Sequence, residues 1–172
     1  MAFSKIIAES MDLTDDYAFS GNVTGAGESN TPSFLAYLSS NQTISASTEV
    51  KVQFNTEVYD TANAYDNSSN YRYTPQTAGK YIVYAVVDHS WSGDWGDQRH
   101  LRIKKNGTDL AKNDVFVKTT SAGSYGTVFI SASCIMNGSS DYLEAFVYSN
   151  ATGPLINGGV ARTYFGAYLL ST

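Results

Sequence analysis

The sequence predicts an all-β fold: a sandwich or barrel of short antiparallel strands, with one sheet face covered by other copies of the chain. Three observations carry this expectation. Residues that favour pleated, half-buried surfaces are abundant, and tyrosine leads the aromatics, with 13 Tyr against 8 Phe and 2 Trp. Short apolar runs recur between clusters of Gly, Asn, Ser and Thr, which is the rhythm of strands and turns. No segment carries an apolar stripe at helical spacing.

The 172 residues suit one domain plus a short appendage. A division is expected near Pro32. Residues 1–31 hold a brief apolar start, the acids Asp12, Asp15 and Asp16, and a small-residue stretch that cannot close a core alone. They read as an anchor, a stalk or an arm, with the folded head over residues 32–172.

Strands are expected at residues 34–39, 42–45, 50–54, 71–73, 80–88, 99–105, 115–119, 125–137, 142–149 and 162–170. Within residues 50–54 the alternation is strict, with Val50, Val52 and Phe54 on one face and Lys51 and Gln53 on the other. Asn106-Gly107 is a two-residue hairpin signal. Tyr81-Ile-Val-Tyr-Ala-Val-Val87 is apolar at every position, and Tyr164-Phe-Gly-Ala-Tyr-Leu-Leu170 repeats the pattern. An antiparallel strand with one wet face should alternate, so both strands are expected to be covered twice, by the opposite sheet and by a second subunit.

The net charge of −5 argues against the basic footprint of a nucleic-acid binder. No run of about 18 apolar residues is present, so no membrane-inserted helix is expected. The N-terminus does not read as a secretory signal, and the single cysteine, Cys134, excludes an intrachain disulfide. Folding in a reducing cytosol follows as an expectation. The sequons at Asn22, Asn41, Asn67, Asn106, Asn137 and Asn150 then read as turn-forming Asn beside small polar residues.

Most of the distinctive chemistry falls in residues 88–100, which hold both tryptophans, both histidines and three acids. Trp91, Asp94, Trp95, Asp97 and His100 form a candidate ligand-binding loop, in which Trp stacks on a sugar face and polar groups take its hydroxyls. The competing reading has one Trp plugging the end of the sandwich. Asp88, Asp94 and Asp97 are candidate calcium ligands, although their spacing lacks the EF-hand order. No other cofactor is expected. Residues 60–70 form a long polar loop, read either as a second contact surface or as a solvated connection. No Gly-x-Ser-x-Gly or His-Glu-x-x-His motif occurs, and Glu49, Glu57 and Glu144 stand singly in β patterns, so no enzymatic activity is expected.

From Phe34 to Leu170 the chain resembles the globular head of complement component C-one-q, in the tumour-necrosis-factor-like jelly-roll superfamily. The resemblance rests on Phe34-Leu-Ala-Tyr, Val52-Gln-Phe-Asn55, Tyr71-Arg-Tyr-Thr-Pro-Gln-Thr-Ala-Gly-Lys-Tyr81, the Ile103-Lys-Lys-Asn-Gly107 hairpin and the closing Phe165-Gly-Ala-Tyr-Leu-Leu170, in that order. Asn55, Tyr73 and Ser140-Asp141 depart from the family pattern, and no Gly-x-y stalk is seen. The resemblance implies a ten-strand antiparallel jelly roll forming a homotrimer, with aromatics along the trimer axis. Tyr37, Tyr81, Tyr84, Phe129, Tyr164 and Tyr168 are the expected contributors.

Residues 12–27 look like the leader of bacteriophage fibre and appendage proteins, especially those of marine phages. This implies a virion structural protein (tail fibre, tail tip or head appendage) assembled in the host cytoplasm. Residues 1–31 would engage other virion proteins, and the head would bind a host surface glycan or protein. The alternatives are a capsid decoration without receptor binding and a free lectin-like or signalling trimer of the same fold.

Overall fold

The computed structural model describes residues 31–92, 97–117 and 125–172, with Asp97 and Val117 as strand positions only. The anchor expected over residues 1–31 lies, apart from Thr31, outside the described residues. In chain order the strands are β1 (Ser33–Tyr37), β2 (Gln42–Thr43), β3 (Val50–Lys51), β4 (Thr56–Asp60), β5 (Tyr65–Asp66), β6 (Arg72–Tyr73) and β7 (Ala78–Ser90). They continue with β8 (Asp97–Lys105), β9 (Thr108–Val117), β10 (Tyr125–Asn137), β11 (Leu143–Ser149), β12 (Leu155–Ile156) and β13 (Tyr164–Ser171). No helix occurs among the described residues.

These strands make two antiparallel sheets. In the seven-stranded sheet β10 flanks β7 on one side, and β13, β1 and β4 follow on the other; β12 and β2 extend the far end of β7. The second sheet runs β5-β6-β11-β8-β9, with β3 beside β11. Both sheets turn one face inward, and the core lies between them. Phe34 stacks on Tyr65 at 4.7 Å and on Tyr73 at 4.3 Å, and meets Phe165 edge-on at 5.2 Å. Such pairs add to the area term that already holds large rings inside. The Tyr65 hydroxyl donates to the Phe54 carbonyl at 3.1 Å, so one ring oxygen is satisfied within the core.

Alternation explains most strands. Val52 and Phe54 are fully buried and Val50 packs beside them, although ladder pairing here covers only Val50–Lys51. In β7, Tyr81, Val83, Ala85 and Val87 are fully buried, while Ile82 and Tyr84 on the other face are half-buried. Strand β4 escapes a sequence reading because it is a half-solvated edge. It pairs only with β1, and Val58 falls where the register shifts, breaking the alternation. The two-residue strands β5 and β12 are too short to carry a pattern.

At the β8–β9 hairpin, Asn106 and Gly107 both have positive φ, 51° and 79°. Both central residues of a primed turn need this, which is why Asn-Gly serves there. A side chain at Gly107 would meet nothing closer than the Tyr142 hydroxyl at 3.9 Å. Gly107→Ala should therefore cost only the left-handed backbone penalty, about 1 kcal/mol, read as a shift in the urea midpoint without change in its slope.

Candidate functional site

The outward face of the seven-stranded sheet is built by ladder register. Phe129, Val86, Tyr164 and Tyr37 are cross-strand neighbours across β10, β7, β13 and β1. The next row holds Ser131, Tyr84, Gly166, Leu35 and Tyr59, and the row below it Ser133, Ile82, Tyr168 and Ser33. Side chains two residues apart share a face, so these rows form one continuous surface. Phe129 is 54% exposed and Tyr59 43%, while Tyr37, Tyr84, Tyr164 and Tyr168 are half-buried. Ile135, 67% exposed, extends the face along β10.

Tyr84 sits at its centre. A Cβ on Gly166 would lie 2.5 Å from the Tyr84 hydroxyl and 3.0 Å from the Phe34 carbonyl, so only glycine lets the ring lie flat across β13. Tyr164 meets the same ring edge-on at 6.4 Å. Burial, with the neighbouring Tyr59 hydroxyl, pushes the Tyr84 hydroxyl up to about 12, so it stays neutral.

One expected member of this surface is corrected. Tyr81 has the opposite parity in β7 and is fully buried, packed edge-on to Tyr73 at 6.2 Å with its hydroxyl donating to the Thr77 carbonyl at 2.9 Å. It belongs to the core.

The free edge of β10 is blunted by the other sheet. Asn113 Nδ2 donates to the Phe129 carbonyl at 2.8 Å and Lys105 Nζ to the Ile135 carbonyl at 2.7 Å. Carbonyls that would otherwise recruit another strand are thereby occupied.

The expected ligand loop divides. Trp91 is 5% exposed, and the Arg99 guanidinium lies 3.9 Å from its ring centroid, so Trp91 closes the end of the sandwich and offers no exposed platform. Its parity predicts this: residues 87, 89 and 91 continue the inward series of β7. Arg99, itself 2% exposed, was not singled out from sequence, yet Leu101 and Ile103 are inward at the same parity of β8. A Cβ on Gly126 would lie 1.9 Å from Arg99 Nη1, so glycine there makes room for the guanidinium. His89 completes this buried group. It is 1% exposed, and burial, then the Arg99 charge, lowers it to about 4 against a smaller opposing contribution from the Val87 backbone.

His100 lies on the outer face of the second sheet. It stacks on Tyr148 at 4.8 Å and stands 3.7 Å from Asp114, beside a charged cluster in which Glu49 engages Arg102 and Lys104 and Glu144 engages Lys51. Asp94 and Trp95 lie outside the described residues, as does the Asp97 side chain. Asp88, of the calcium candidates, is buried and faces Arg162 Nη1 at 3.4 Å, beside a cavity of about 400 Å³ lined also by Tyr125, Gly126 and Thr127. Among the described residues no three His, Cys, Asp or Glu side chains converge as a metal cage.

No family model and no curated protein sequence matches the chain. Among solved structures it is similar to Eiger TNF from S. frugiperda, at 14% identity and a TM-score of 0.59, over 81% of this chain and 94% of that one. Murine APRIL at pH 8.5 matches at 13% identity and a TM-score of 0.55, over 80% of this chain and 99% of that one. The structure of murine APRIL at pH 5.0 gives 12% and 0.56 over the same shares. Identities this low carry the architecture and not the activity. The described residues have the jelly-roll fold of tumour-necrosis-factor-like proteins.

Proposed function

We propose that the chain is a non-enzymatic, homotrimeric structural module of a bacteriophage particle, anchored by residues 1–31 and presenting residues 32–172 as its head. The observation that carries the trimer is the tyrosine-rich outer face of the seven-stranded sheet. A soluble subunit rarely exposes so continuous an apolar face without a partner to cover it. The phage setting rests on the likeness of residues 12–27 to phage appendage leaders. Adhesion falls to Asp94 and Trp95, and three copies on one trimer raise avidity where the receptor repeats at matching distances.

The burial of Trp91 favours the capsid-decoration reading as a second possibility, since it removes one of two aromatics from the adhesive loop. One measurement tests the trimer and a second separates the readings. Light scattering should return three times 18.6 kDa, unchanged by a calcium chelator. A trimer that dissociates on chelation would assign calcium to the assembly, and a stable monomer overturns the proposal. On particles carrying Trp95→Ala, host adsorption should fall for an adhesin, whereas a decoration would leave adsorption intact.

A further inference from the structure

A second cavity lies at the other end of the sandwich from Trp91. Gln76 precedes the start of β7 by two residues, whereas Trp91 follows its end. This cavity has a volume of about 470 Å³ and is lined by Asn63, Asp66, Asn70, Arg72, Thr74 and Gln76 together with Ala64 and Tyr65. It occupies the polar loop read from sequence as either a contact surface or a solvated connection, and the geometry favours the first.

The loop is held rigid from within. Asp66 Oδ1 accepts the main-chain N–H groups of Ser68 at 3.0 Å and Ser69 at 2.9 Å, and Asp66 Oδ2 those of Asn70, from main chain at 3.1 Å and side chain at 2.7 Å. These donors hold the Asp66 carboxyl well below the usual range. Asp60 accepts the N–H groups of Ala62 and Tyr65, and Lys51 Nζ donates to the Asn70 carbonyl at 3.0 Å. Asn63 and Tyr71 both adopt left-handed φ, 52° and 50°. For a bulky residue such as Tyr71 this conformation costs energy and persists only where surroundings enforce it.

Donors and acceptors remain for a ligand. Arg72 stacks over Tyr142 at 4.6 Å, and among the described residues no carboxylate forms an ion pair with it. The ring holds the guanidinium plane while its N–H edges stay available. Asn70 spends its amide N–H on Asp66, and Gln76 spends its own on the Thr74 carbonyl at 3.0 Å, leaving both side-chain oxygens as acceptors. Asp66 has its oxygens occupied by the loop, and its charge balances that of Arg72. The lining is therefore neutral overall, rich in planar polar groups and fixed in place before any ligand arrives.

We propose that this cavity binds a neutral saccharide unit, with Arg72 donating to adjacent hydroxyls and Asn63, Asn70 and Gln76 completing the set. Vicinal hydroxyls are at once donors and acceptors, which matches a fork of N–H groups beside amide oxygens. The site is formed within one subunit and is independent of the phage reading.

The test is saturation-transfer NMR on the purified full-length protein with glucose, galactose, mannose and N-acetylglucosamine, and glucuronate as the charged comparison. At least one neutral sugar should receive saturation, with affinity weakened about tenfold or more in Arg72→Ala and in Gln76→Ala. Gln76 is exposed, so its variant should melt with the parent and separate lost binding from lost folding. The proposal is overturned if no neutral sugar responds, if both variants bind like the parent, or if glucuronate outcompetes every neutral sugar. Light scattering on the same samples reports assembly separately, so failure here leaves the trimer reading standing, and the reverse.

Discussion

Replacing Tyr84 with glutamate is expected to convert the assembled protein into an 18.6 kDa monomer that keeps its fold. Tyr84 stands in the central row of the outer face, between Ser131 on β10 and Gly166 on β13. In a cyclic trimer each subunit contributes the same face, so one substitution places three carboxylates in the apolar seam. Burying a carboxylate without a partner costs several kcal/mol per ion. Three such terms act together against assembly. In the free subunit Tyr84 is only half-buried, and the glutamate can turn toward water. Phe129→Glu is the companion variant, because Phe129 is already 54% exposed and contributes little to the subunit's own core. Light scattering and far-ultraviolet circular dichroism on both variants decide the matter. Folded monomers support the seam, and trimers from both variants place the interface elsewhere.

The same strand marks where sequence reasoning stops. Apolar residues fill both faces of β7, so the sequence leads one to expect cover on both without revealing which parity faces the opposite sheet. Tyr81 and Tyr84 look equivalent in the chain, yet one lies in the core and the other on the outer face of the sheet. Parity becomes legible only with an anchor, and the anchor is tertiary: Val83, Ala85 and Val87 face the opposite sheet. Once that is known, the inward places of His89 and Trp91 follow without further information. Arg99 was legible by the same logic, since Leu101 and Ile103 fix the inward parity of β8. Its charge hid it, because charged residues are almost never fully buried. The hairpin at Asn106-Gly107 needed no such context, because its turn type is written in the φ preferences of two residues. The polar loop of residues 60–70 stood out in the sequence, but its pairing with Arg72, Thr74 and Gln76 into one cavity did not, because Asp66, Asp60 and Lys51 order it through contacts that only the fold supplies.

Below neutral pH the protein should lose roughly 3 kcal/mol of stability between pH 6.5 and pH 4, and His89 is the residue that carries the loss. In the folded state burial first, and the Arg99 guanidinium second, hold the imidazole at about 4, against 6.5 for the free side chain. Over that interval the unfolded chain takes up a proton that the folded chain refuses. Stability is therefore fully present above pH 6.5, declines as pH falls, and has been lost once pH drops below the folded value. The site accepts the charge poorly: His89 is 1% exposed, the Val87 backbone offsets the burial only in part, and Trp91 and Arg99 close the same end of the sandwich. Carboxylates whose values are lowered in the fold, such as Asp66 and Asp141, act in a separate window below about pH 4. Urea unfolding at fixed protein concentration, stepped from pH 7.5 to pH 4, measures the slope without confusing it with dissociation. His89→Leu removes the titrating group, so its profile should be flat across the same interval. A parent profile that is already flat, or a leucine variant that keeps the slope, would show that the proton is taken up elsewhere.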